Sequence, residues 1–80
     1  MVQLSKREAS QKVIREMKKD VWYRLEYLAR KAKTGAYYLR TTEMAGFLRI
    51  AKALGILEHR GHTEIIQGKQ TYVSEWRKIK

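Results

Sequence analysis

Around Arg49 the chain sets Ala45, Gly46 and Ala53, with Lys52 at the margin. On a helix these positions share one face: three small residues around one guanidinium. Such a surface lets a helix backbone sit deep in a DNA major groove while the arginine makes a bidentate contact to a guanine edge, worth about 1–3 kcal/mol of base discrimination. Just upstream, Arg40, Thr41 and Thr42 stand where a helix begins, and free amides at such an end favour a phosphate. Further on, Lys69 sits between Gln67 and Gln70 in a Gly-containing turn, placed to touch a phosphate backbone, with Arg60 and His62 nearer the base of the same hairpin. Two lesser groups stand apart from these. Lys18 and Lys19 precede Asp20 and offer further phosphate contacts; Tyr23, Tyr27 and Arg30 share a helix face and suit either base stacking or, as the favoured reading, a dimer interface.

Small residues on a helix face also mark close helix packing, and Gly46 inside a helix costs roughly 1 kcal/mol relative to alanine, so that position needs a reason. Catalytic chemistry has little to work with. His59 and His62 are three apart but straddle a glycine and have no third ligand nearby in sequence. The glycines are scattered, so no phosphate loop forms, and none of the three serines is spaced for a nucleophile–base pair. No enzyme activity, cofactor, metal or small-molecule ligand is implied.

The positioning elements follow from periodicity and punctuation. Ser5 and Glu8 form a capping box, so a helix starts at Ser5. Apolar residues at Ala9, Val13, Met17, Val21, Leu25, Leu28 and Ala32 then recur at helical spacing without glycine or proline. The apolar face drifts around Lys18–Asp20, which predicts two helices, 5–18 and 20–33, the second capped by Asp20. Gly35 closes that helix, and Ala36–Leu39 is extended and able to pair beside the hairpin. A third helix, 42–54, is capped by Thr41 or Thr42; its inward stripe is Met44, Phe47, Leu48, Ala51 and Leu54. With Gly68-Lys69 as a two-residue turn, the hairpin 63–76 pairs Ile65 with Tyr72, Thr63 with Ser74 and Gly61 with Trp76, and Ile65, Tyr72 and Trp76 face inward.

The run Leu54-Gly55-Ile56-Leu57-Glu58 resembles the exit from recognition helix to wing in winged helix-turn-helix DNA-binding proteins, of the small archaeal or phage type. The resemblance spans Thr41 to Trp76, about half the chain. It implies a mainly α fold with a small β-hairpin, α-α-(β)-α-β-β, and a sequence-specific regulator of transcription or replication that binds duplex DNA as a homodimer. The Thr34–Arg40 connection is longer than a helix-turn-helix turn, so Tyr37–Leu39 is a candidate first strand of the wing sheet.

Composition agrees with a polyanionic partner. Eighty residues make one domain, 1–80, with 1–4 and 77–80 expected to fray, and there is no cysteine to staple it. Lysine and arginine number 18 against 8 acidic residues, a net charge of +10, and self-repulsion of that size favours nucleic acid. No apolar run is long enough to cross a membrane, which predicts a cytoplasmic, DNA-associated protein. Two other classes fit the same charge: an RNA-binding or ribosome-associated module, and a helix-mediated protein-interaction module built on the seven-residue spacing of Ile14, Val21 and Leu28.

Overall fold

The computed structural model describes residues 4–80, so the expected fraying of residues 1–3 lies outside the described residues. Helix α1 (Lys6–Glu16) starts as the capping box requires: the Glu8 amide donates to the Ser5 hydroxyl at 3.1 Å and the Ser5 amide to the Glu8 carboxylate at 3.2 Å. Ala9, Val13 and Met17, four apart, are its buried line. The chain does not then re-enter a helix. Asp20 adopts a left-handed conformation with φ 64°, which aspartate tolerates better than most residues, and its amide donates to the Lys78 carbonyl at 2.9 Å. Trp22–Arg24 follows as strand β1, and only then comes helix α2 (Leu25–Lys31). The expected helix 20–33 is therefore half its length, and Asp20 makes a turn instead of a cap.

Strands β2 (Lys33–Thr34) and β3 (Tyr37–Tyr38) close a small hairpin across Gly35, whose φ is 64°. Tyr37 and Tyr38 thus pair with Thr34 and Lys33, and Leu39 N–H with Ala32 O at 2.9 Å, and not with the wing. Helix α3 (Thr41–Ala53) begins one residue earlier than expected, with Arg40 at the cap position, where its amide donates to the Glu43 carboxylate at 3.1 Å. Its exit is a Schellman closure: Ile56 N–H reaches Ala51 O at 3.0 Å, Gly55 N–H reaches Lys52 O at 2.9 Å, and Gly55 takes φ 78°.

Strands β4 (Leu57–Ile66) and β5 (Lys69–Lys78) form a ten-residue ribbon, and β1 pairs antiparallel with β5, giving the sheet order β1-β5-β4. Of the described residues 40 % are helical and 36 % extended. The fold is accordingly mixed α and β, which corrects the expectation of a mainly α chain carrying a small hairpin. The ribbon extends beyond the expected hairpin 63–76 at both ends, since β4 starts at Leu57 and β5 runs to Lys78, with Ile79 N–H bonded to Ile56 O at 3.0 Å. Residues 77–79 are therefore tied down, and Leu4 packs against the core at the other end.

The hairpin turn is Gln67-Gly68, both at positive φ (51° and 77°) as a type I′ turn requires, so the register is Thr63↔Tyr72, Gly61↔Ser74 and His59↔Trp76. Moving the turn by one residue slides the partners by two. That slip keeps each residue on its expected face. Trp76 is buried against the helices with Leu57, but Ile65 and Tyr72 lie where the ribbon has outrun the body and are 76 % and 63 % exposed. Tyr72 instead lays its ring across Gly61, where a side chain at 61 would collide with it. The core joins Leu28 of α2, Met44 and Leu48 of α3, Leu57 and Trp76 of the sheet, and the buried line of α1. Each fully buried leucine contributes about 1.5–3 kcal/mol relative to an exposed one.

Candidate nucleic-acid interface

Because Met44, Leu48 and Ala51 are buried, α3 turns its opposite side outward, and that side carries Thr42, Gly46, Arg49 and Ala53. At Gly46 an added Cβ would meet nothing within 4 Å beyond its own helix, so no other element among the described residues packs on this glycine. Arg49 and Lys52 have no carboxylate partner among the described residues. Ala45 departs from the expected face. At 8 % exposure it lies on the core side of the boundary and offers no surface to a groove.

The start of α3 is partly occupied. Glu43 accepts from the Arg40 amide and is ion-paired with Lys6, which together hold its carboxyl below the usual carboxylate range, the Lys6 hydrogen bond foremost. One anion thus already sits at the amides where Arg40, Thr41 and Thr42 were expected to receive a phosphate. These three side chains remain exposed beside it.

Where α3 meets the ribbon, His59 donates to or accepts from the Ser74 hydroxyl at 2.7 Å and tilts against Trp76 with ring centroids 4.4 Å apart. Burial lowers its pKa below the ordinary imidazole value, and the charges of Lys52 and Arg49 push the same way. His62, three residues on in the same strand, lies on the other face of the sheet, and no group of three metal-binding side chains occurs among the described residues.

At the ribbon tip Gln67, Lys69 and Gln70 are all exposed, and Lys69 has no ion-pair partner among the described residues. Lys18 and Lys19 are at the opposite end. Lys19 bridges to Lys78, nine residues along β5 from Lys69, or roughly 30 Å at strand rise. They are not part of one compact site with the tip.

Arg60, expected as a contact at the wing base, is engaged elsewhere. The outer sheet face carries Trp22, whose ring lies 4.1 Å from the Arg60 guanidinium and 4.9 Å from that of Arg77. Arg60 also binds Glu75 at 3.0 Å, Arg77 pairs with Glu58, and Arg24 reaches Glu64 at 3.4 Å, spanning the middle strand near the level of the buried Val73. Three arginines against three glutamates leave this face without net charge. His62 completes the lattice by contacting Glu64 at 2.8 Å. Nothing in the spacing of the residues revealed Trp22 as its platform, although the Trp-Tyr pair is strongly strand-forming and was a usable signal.

Tyr23, expected on one helix face with Tyr27 and Arg30, lies instead on β1, where pairing with β5 takes it out of the helix; it is half-buried against the core, accepts the Lys18 amide at 3.0 Å and stacks on Tyr27 of α2 at 5.7 Å. Only Tyr27 and Arg30 present open surface. No described helix is long and apolar enough to cross a membrane. Compared with known proteins, the chain matches no family model, no curated protein and no solved structure.

Proposed function

We propose that this protein binds double-stranded DNA, with the outer face of α3 entering the major groove and the β4–β5 tip resting on the sugar–phosphate backbone, as a regulator of transcription or replication. The observation that carries the reading is the open, small-sided surface of Thr42, Gly46 and Ala53 around Arg49, a guanidinium unpaired with any carboxylate among the described residues. A guanidinium held this way keeps its full hydrogen-bonding capacity for a base edge, and the small neighbours let the helix axis approach. Lys52 and the tip lysine add counterion release without sequence preference. Affinity comes from charge, and selectivity from Arg49.

A second reading has its own observation. From Tyr27 to Thr42 the chain holds four cations and no acid, and the β2–β3 hairpin exposes Tyr37 and Tyr38, the latter with the Lys33 ammonium 5.6 Å from its ring. Exposed aromatics among cations suit unpaired bases, as in an RNA loop. Competition among duplex DNA, duplex RNA and single strands separates the two. Tightest retention of duplex DNA supports the first reading; stronger retention of RNA or single strands overturns it. Selection from a random duplex pool then supplies the target, and a palindromic product reports a two-fold pair of subunits.

A further inference from the structure

Helices α1 and α3 enclose an open groove of about 610 Å³ that the DNA reading leaves unused. Its apolar surface comes from Ile14, Phe47, Ile50, Leu54 and Ile56, with Ile50 59 % and Leu54 67 % exposed. Leu54 was expected to face inward, yet the Schellman closure at Gly55 turns the chain beneath it and leaves its side chain outside. Large aliphatic residues one turn apart on a helix, both uncovered and bordering a concave apolar surface, mark a place where another molecule sits.

Two features define that molecule. The first is charge. Arg7, Gln11 and Arg15 form a stripe along α1 at the rim, neither arginine has a carboxylate partner among the described residues, and no acidic residue lines the groove. A second copy of this chain related by a two-fold axis would bring the same two arginines against themselves, on top of a net +10 per subunit. The rim therefore selects a partner of opposite sign. The second is the backbone. An extended segment could add to the protein only through free main-chain groups, and the groove offers none: its walls are helices, and Ile56 already donates to Ala51 O and accepts from Ile79 N–H. The occupant must satisfy its own backbone, which is what a helix does.

We infer that the α1–α3 groove docks an acidic amphipathic helix of a partner protein, with its apolar stripe on Ile50 and Leu54 and its carboxylates on Arg7 and Arg15. The inference is independent of whether α3 also contacts DNA.

The test uses a fluorescently labelled synthetic peptide, helix-forming, with leucines at i, i+3, i+4 and i+7 and glutamates flanking them, and a twin in which lysines replace the glutamates. Anisotropy should show the acidic peptide binding at least about tenfold more tightly than the basic one, a modest yield for two rim charges. Leu54→Glu should abolish that binding with an unchanged thermal melt, since Leu54 is mostly exposed. Arg7→Glu with Arg15→Glu should reverse the preference toward the basic peptide, a change that a general loss of folding does not produce. Equal binding of both peptides, or binding indifferent to Leu54→Glu, overturns the proposal. So does a dimer in sedimentation that Leu54→Glu dissolves, which would give the groove to a second copy.

Discussion

Two arginine-bearing surfaces of this molecule are built for different ends. On the outer sheet face Arg24, Arg60 and Arg77 are matched by Glu64, Glu75 and Glu58, and two of the three guanidinium groups flank Trp22. On the outer face of α3, Arg49 stands among small residues, and neither it nor Lys52 has a carboxylate partner among the described residues. Arginines in the first set are already spent on the fold's own surface, where an exposed pair contributes about 0–1 kcal/mol. Those in the second retain their capacity for an external anion. Counting cations along the chain does not separate these cases; their partners do.

The contrast is broken most easily at Gly46. Leucine there has room and a better helix propensity, so Gly46→Leu should raise thermal stability by roughly 0.5–1 kcal/mol. Duplex binding should nonetheless collapse in a mobility-shift titration, because the side chain fills the approach to the groove. A lower melting temperature would assign Gly46 to packing. Arg49→Ala comes next: binding to a selected duplex should weaken relative to a random one by about 1–3 kcal/mol of discrimination. If all duplexes weaken alike, Arg49 is not a reader.

Lys69→Ala should weaken every duplex similarly and reduce the slope of log affinity against log salt by about 1. Arg60→Ala should leave both affinity and slope within error, while removing roughly 0.5–1.5 kcal/mol of stability through the lost Glu75 pair and Trp22 contact. A salt slope that falls for Arg60→Ala as it does for Lys69→Ala would erase the distinction between the two surfaces.

The smallest effect concerns pH. His59 has its pKa held below the ordinary 6.5 by burial and by Lys52 and Arg49, so the folded state resists protonation. The unfolded chain takes the proton first. Stability from this group is therefore complete above about pH 6.5 and declines as pH falls through that value toward the lower folded pKa. His59→Gln should flatten the dependence of melting temperature on pH across this window, and an unchanged profile would remove His59 as its source.

Much of the helical architecture could be read from residue types alone. The capping box at Ser5, the buried stripe of Met44, Leu48 and Ala51, and the glycine stop at 55 are local signals with one physical solution each. The outward face of α3 was legible for the same reason, apart from Ala45 at its edge. What escaped depends on distant partners. Trp22–Arg24 lies within an unbroken helical periodicity and becomes a strand because the edge of β5 offers ladder bonds to it, with Asp20 taking the left-handed turn that glycine would normally make. The ribbon register escaped because Gln67-Gly68 and Gly68-Lys69 are both acceptable two-residue turns, and either leaves the same residues on each face. Arg60 looked free because its partners, Trp22 and Glu75, are remote in sequence.

Backbone amide chemical shifts followed during addition of a duplex weigh the two surfaces in one titration. The largest changes are expected at Gly46, Arg49 and Ala53, with a second group at Gly68 and Lys69, while Trp22, Arg60 and Arg77 hold still. Changes concentrated on the strands around Trp22, with α3 unmoved, would contradict the assignment of the open α3 face to DNA.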